Sequence, residues 1–317
     1  MIIALCIWAR PIDIYGGTEA VVVNDHLMQK KQFILGLGAQ RTGSTWLRSQ
    51  LHACKEINLG FCKEYHFLDV LFVPEMKAFH SDHDSGDQRF RFRPSTNPNL
   101  WSPGRKSAML ASFVSNPQQY FQYFDELWQG DRRISTVGDF TPSYSMLDRS
   151  GFDYARIELM KRGFQVKALF VMRDPVERMW SMIHQASKVQ KLLDTGKDPT
   201  ARKFSLKHFT YPGAELRTRY ERTIHELEQV FGVDEIYYDF YERYISEERY
   251  SALLAFMEIT TANAPQLDKP RNQSLLKQRI EHDLAAQVAR YYRSTYEFME
   301  MRYGDLMRTL WSGYEYL

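Results

Sequence analysis

The run Phe33-Ile-Leu-Gly-Leu37-Gly38-Ala-Gln-Arg41-Thr42-Gly43-Ser44-Thr45-Trp46-Leu47 decides the fold class of this chain. Residues 33–37 are an apolar run too short for a helix and of the right length for a buried strand. From about Ser44 to Ala53 the pattern is helical, and Gly38 and Gly43 frame the turn between the two. A strand, a glycine turn and a helix bring backbone N–H groups and the positive end of the helix to one point, where an anion is held. The two-glycine spacing is that of a phosphate loop. Where a Walker A loop has lysine, however, this one has Ser44, and its cation is Arg41. That exchange argues against a nucleotide triphosphatase, whose lysine must reach the β- and γ-phosphates. The plain alternative is a glycine turn with a solvent-facing arginine.

Short apolar runs recur at residues 57–61, 134–137, 167–172 and 235–240, with helical stretches between most of them. This alternation predicts a single α/β domain over residues 32–317, a central parallel sheet flanked by helices. Two polar segments, 73–104 with Pro74, Pro94, Pro98 and Pro103, and 195–212, break the rhythm and read as insertions. Residues 1–31, with Pro11, Gly16 and Gly17 and no sustained period, read as a poorly ordered leader outside the fold. Over 117–128, Tyr120, Phe124 and Leu127 recur at helical spacing and are expected in the core. A long last helix is predicted over 274–301, before a tail rich in tyrosine and tryptophan that packs back on the body.

With 317 residues, 44% of them apolar, the chain is long enough to bury a large core. Its 41 basic and 39 acidic residues leave a net charge of +2, so no global field is available for a nucleic acid polymer or an anionic membrane. An anionic ligand must therefore be held by a local cluster. Cys6, Cys54 and Cys62 have neither zinc-site nor redox-pair spacing, which suggests a reducing, cytoplasmic setting and no metal. The initial apolar run, residues 1–8, is far short of the ~20 residues a membrane span needs. Nothing in the sequence speaks to oligomeric state.

A second strand-to-helix corner follows Lys167-Ala-Leu-Phe-Val-Met172, in Arg173-Asp174-Pro175-Val-Glu177-Arg178-Met-Trp-Ser181. Asp174 is a good N-cap, Pro175 suits the first turn, and Glu177 is placed to complete a capping box. Arg173 stands at the strand's carboxyl end, and Ser181, two turns into the helix, can face back toward it, so the pair can share one phosphate. A purely structural helix start is the bland reading.

With both corners in view, the chain resembles the sulfotransferases that use 3′-phosphoadenosine-5′-phosphosulfate (PAPS). Their 5′-phosphosulfate loop reads basic residue, Ser/Thr, Gly, Ser/Thr, Thr, often with Trp-Leu after it, as Arg41-Thr42-Gly43-Ser44-Thr45-Trp46-Leu47 does here. Arginine at the first position is similar to the membrane-associated and bacterial branches. Their 3′-phosphate motif is an arginine at a strand end and a serine eight residues on, the spacing of Arg173 and Ser181. The resemblance implies a P-loop-like sulfotransferase fold, PAPS as cosubstrate and PAP as product. It also implies that Arg41 and the amides of residues 42–45 stabilise the charge of the transferring group. Lys63-Glu64-Tyr-His66-Phe67 is similar to the Glu-x-His-Phe stretch of glycosaminoglycan-type members, whose glutamate is the base. Glu64 is thus the expected base, with His66, whose ordinary pKa lies nearer neutrality, as the alternative. Gly138-Asp-Phe140-Thr141-Pro142-Ser-Tyr144 resembles that branch's Lys-Thr/Ser-Pro-Ala-Tyr stretch with Phe140 in place of lysine; Thr141 and Tyr144 can line the acceptor side, and a Thr-Pro turn of no function reads as well. Lys269-Pro-Arg271-Asn272 stands where the family closes a basic loop over the nucleotide, though a solvated turn capping the last helix reads as well.

Two clusters carry weaker signals. His80-Ser-Asp82-His83-Asp84 has metal-type side chains but no element to fix their geometry, and Arg89-Phe-Arg91-Phe-Arg93 reads as a solvated edge strand or a face for an anionic acceptor. The acceptor is open among small molecules, carbohydrates and proteins. The competing readings are a nucleotide or small-molecule kinase on a P-loop fold, and a non-catalytic binder of PAP-like nucleotides.

Overall fold

The computed structural model describes residues 30–77, 103–193, 204–260, 264–267 and 279–317. Its core is one five-stranded sheet in the order β2-β3-β1-β4-β5, with every neighbouring pair parallel. The strands are β1 (Gln32–Gly38), β2 (Ile57–Asn58), β3 (Thr136–Phe140), β4 (Gln165–Met172) and β5 (Ile236–Phe240). The chain leaves β1 toward β2 and β3 on one side, then crosses to β4 and β5 on the other. The crevice at the carboxyl ends of β1, β3 and β4 is therefore the switch point where open α/β sheets bind ligands.

Side chains alternate along the strands and fill two cores. Phe33, Leu35 and Leu37 of β1 enter the larger one, with Phe121 and Phe124 of the helix Pro117–Gln129 and Ile224 of Tyr220–Glu228. Ile34 enters the smaller one, with Trp46 and Leu51 of the helix Ser44–Leu51 and Leu253 of Glu247–Phe256. Gly36 is required by close approach, because a Cβ there would lie 2.4 Å from the Phe140 ring across the strand pair. No helix among the described residues is long and apolar enough to cross a membrane.

All five expected strands are present, with shifted bounds. β2 ends at Asn58, whose side-chain oxygen accepts the Gly60 N–H at 3.0 Å while Gly60 turns the chain away with φ 65°. The expected strand at 134–137 begins and ends later, at Thr136–Phe140. The single C-terminal helix expected over 274–301 is instead two helices, His282–Tyr291 and Arg293–Tyr303, because Tyr292 leaves the helical region with φ −95° and ψ 20°. Residues 268–278 lie outside the described residues, as do the leader up to residue 29, the His80 to Asp84 cluster and the Arg89 to Arg93 stretch. The aromatic tail does pack back, with Trp311 fully buried against Tyr220, Phe240 and Tyr296.

A buried carboxylate holds the segment after β2 against the sheet. Asp139 of β3 accepts hydrogen bonds from Tyr120 Oη (2.9 Å), Tyr144 Oη (2.6 Å) and Thr141 Oγ1 (2.6 Å). Thr141 Oγ1 in turn accepts the Tyr65 N–H, and Tyr144 Oη accepts those of Phe67 and Leu68. Burial raises the Asp139 carboxyl to about 6 against the pull of these donors. The expectation that Thr141 and Tyr144 line the acceptor side is corrected here: both are fully buried, and their hydroxyls bridge Asp139 to the backbone of residues 65–68. Tyr144→Phe should lower stability in urea denaturation by ~1–3 kcal/mol, since it strips Asp139 of a donor and leaves two buried N–H groups without an acceptor. An unchanged midpoint and slope would contradict the bracing role.

Candidate functional site

The glycine turn folds as a phosphate cradle does. Arg41 and Gly43 both take positive φ, 76° and 74°, and Thr42 Oγ1 closes the turn on the Ala39 carbonyl at 2.7 Å. Gly43 brings no side chain to cap the helix Ser44–Leu51, whose first amides also lack intrahelical acceptors. A Cβ at Gly43 would lie 2.6 Å from Tyr244 Oη, which donates to the Gly43 carbonyl at 2.8 Å. Trp46 turns into the core between Tyr244 and Tyr250 and gives its indole N–H to the Gln266 carbonyl at 3.0 Å.

At the second corner Asp174 caps its helix as expected, accepting the Val176 N–H at 2.9 Å. The capping box is not completed by Glu177. The Asp174 N–H goes instead to Glu242 Oε1 at 2.9 Å, a carboxylate from just beyond β5, while Glu177 turns to Arg173 at 3.6 Å. Glu242 also takes the Trp311 indole N–H at 3.2 Å, and burial raises its carboxyl to about 7. The tail closes on the same corner, with Gly313 N–H and Tyr296 Oη donating to Asp174 at 2.7 and 2.6 Å.

The two corners meet. Arg41 Nε donates to Ser181 Oγ at 3.0 Å, and Arg173 Nη1 donates to the Arg41 carbonyl at 3.1 Å. The Arg173 guanidinium lies 4.4 Å over the Tyr241 ring, and its Nε is buried with no hydrogen-bond partner among the described residues. Burial, then the charge of Arg173, push the Arg41 guanidinium below its ordinary range. Burial and Arg41 do the same to the imidazole of His184, one turn beyond Ser181. Two arginines held this close are stabilised by an anion set between them.

Glu64 and His66 stand in one polar chain. Glu64 pairs with Lys63 Nζ at 2.8 Å and with His66 Nε2 at 3.5 Å. His66 Nδ1 lies 2.7 Å from Oδ2 of the buried Asp69, which also accepts from Ser143 Oγ. Burial alone would raise the Glu64 carboxyl, but the hydrogen bond from His66 and the charge of Lys63 outweigh it and hold it at about 2. Burial alone would lower His66, but Asp69 and Glu64 raise it to about 10. The pair is carboxylate and imidazolium across the neutral range. His66 has φ 50°, a left-handed conformation uncommon outside glycine, asparagine and aspartate.

Several contacts that build the site are absent from the sequence reading. Arg48 Nη2 donates to the Cys62 carbonyl at 2.8 Å, tying the helix after the glycine turn to the segment leading to Glu64. Tyr241 and Glu242 follow β5 directly, a strand-end position that the parallel-sheet rule marks as close to a ligand. Lys269 and Arg271 lie outside the described residues.

No protein-family model matches this chain, and no curated protein matches it. Among solved structures it is similar to a sulfotransferase from Alicyclobacillus acidocaldarius, with a TM-score of 0.52 and 15% identity over 86% of this chain and 95% of that one. It is also similar to the sulfotransferase domain from the curacin biosynthetic pathway, at 17% identity over 80% of this chain and 81% of that chain, with a TM-score of 0.42. A further match is the sulfotransferase domain from the Synechococcus PCC 7002 olefin synthase, at 19% identity, 84% and 96% coverage and a TM-score of 0.41. The first of these shows the fold: the chain has the α/β architecture of a sulfotransferase.

In a 13C NMR titration the Glu64 carboxyl of the wild type should stay ionised down to about pH 2. His66→Asn removes the imidazolium while tolerating positive φ, so the Glu64 pKa should rise, with Lys63 still holding part of the depression. An unchanged titration would contradict the ionised pair.

Proposed function

We propose that this chain transfers the sulfuryl group of PAPS to a hydroxyl or amine of a small-molecule, carbohydrate or protein acceptor and releases PAP. The observation that carries the reading is the junction of the two corners, where Arg173 bonds the Arg41 carbonyl and Arg41 bonds Ser181. Two phosphate motifs far apart in the chain thereby form one cationic cleft of the kind a doubly phosphorylated nucleotide requires. The residues present fit that group: the buried Arg173 Nε lacks an acceptor among the described residues, and burial together with the charge of Arg173 lowers Arg41. The sulfotransferase fold supports the reading in general terms.

Arg41 and the amides of residues 42–45 would hold the phosphosulfate end, and Arg173 with Ser181 the 3′-phosphate; Lys269 and Arg271 are the proposed cover. When bound, PAPS supplies a sulfuryl group on a phosphate leaving group, so the S–O bond to phosphate breaks as the acceptor oxygen or nitrogen bonds to sulfur. Arg41 and the loop amides take up the charge gathering on the phosphate oxygen. Glu64 takes the acceptor's proton. His66, already an imidazolium between two carboxylates, has no lone pair to accept it, which favours Glu64 of the two candidates. A carboxylate near pKa 2 is a weak base, but it suffices where the attacking atom becomes acidic as its bond to sulfur forms.

Labelled PAPS offered with an acceptor panel should give acceptor-dependent PAP release. Glu64→Gln should cut turnover by ~10²–10⁴-fold with PAP affinity almost intact. Arg41→Ala should lower both turnover and affinity, because its charge acts in the ground state as well as the transition state. Near wild-type release from Glu64→Gln would move the base elsewhere, and label moving from ATP but not from PAPS would favour the kinase reading.

A further inference from the structure

Arg178 is fully buried, four residues into the helix that carries Ser181 and three residues before it, so the two share a helix face. Among the described residues its guanidinium donates only to neutral acceptors. Nη1 points at the Gln40 carbonyl of the glycine turn at 3.5 Å, Nη2 reaches the Ala214 carbonyl at 3.2 Å and the Thr218 hydroxyl, and Met179 Sδ lies against it. Nε has no hydrogen-bond partner among the described residues. Among the described residues no carboxylate pairs with Arg178. Its charge is felt by Arg217, which it repels, and by the phenols of Tyr220 and Tyr292.

A buried charge without a counter-ion costs folding free energy, and replacing such a charge by an apolar group of similar volume is often neutral or stabilising. The fold has little other use for this one, since the Ala214 carbonyl is already bonded by Thr218 Oγ1 at 2.6 Å. What Arg178 does face is the turn at Gln40, the residue before Arg41. We infer that Arg178 is a positioning residue and buried third cation of the phosphosulfate loop, its charge balanced only when the loop holds an anion. The inference rests on the proposed sulfuryl-transfer site. In a low-dielectric interior its field reaches the loop with little loss to solvent or salt.

Arg178→Met and Arg178→Gln test this, the second keeping a donor for the Gln40 carbonyl but no charge. Thermal melts without ligand should show both at least as stable as the wild type. Calorimetry should show both binding PAP and adenosine 5′-monophosphate about tenfold more weakly, a loss common to the two ligands because it arises at the 5′ end. Arg173→Ala, by contrast, should lose affinity for PAP alone. Wild-type affinity in Arg178→Gln would assign the effect to the hydrogen bond and overturn the inference. A large loss of ligand-free stability in both variants would overturn it too, by making Arg178 a structural strut. If the wild type binds neither nucleotide, the failure belongs to the proposed function itself.

Discussion

Two like charges held against each other at the ends of β1 and β4 are the constraint on which this structure turns. Arg41 and Arg173 repel, yet Arg173 is fastened to the Arg41 carbonyl and Arg41 to Ser181. Left to themselves, two flexible cations would swing apart into water. Here the backbone of each is fixed by a strand-to-helix corner, and the corners are neighbours because β1 and β4 pair over seven residues. The sheet register thus becomes an electrostatic fact about the cleft.

The rest of the molecule holds those corners still. On one side the Asp139 cluster and Arg48 pin the segment of residues 59–68, which carries Glu64 and His66. On the other, Glu242, Trp311 and Gly313 replace the local capping box at Asp174 with contacts from the far end of the chain. Two of the buried carboxylates involved, Asp139 and Glu242, are raised by burial, so their hydrogen bonds are gained against a desolvation cost. The fold accepts that cost at the edges of the site, where rigidity in the binding groups matters most.

What the sequence made legible was local. A strand, a glycine turn and a helix are written in fifteen consecutive residues from Phe33 to Leu47, and Asp174-Pro175 signals a helix start without help from anywhere else. The five apolar runs gave the parallel sheet, because buried parallel strands are continuous in their hydrophobicity. Long-range substitutions for local rules were not legible. Glu177 has the right spacing for a capping box, but nothing in the sequence shows that Glu242, 68 residues away from Asp174, will arrive first. Thr141 and Tyr144 look like site residues beside a strand end and prove to be bonded to a buried aspartate. The helix break at Tyr292 has neither glycine nor proline to announce it. Arg178 carries no signal in the sequence, because arginine in a helix is ordinarily solvated and only packing buries it.

The central claim is that the two corners make a single site for a nucleotide carrying phosphates at both its 3′ and 5′ positions. Isothermal titration of PAP and of ATP into the full chain tests it most directly. The account predicts one PAP site per chain and much weaker binding of ATP, which has no 3′-phosphate for Arg173 and Ser181 and lacks a lysine at Ser44 to grip its terminal phosphates. Binding of ATP as tight as that of PAP, or no PAP binding at all, would contradict it.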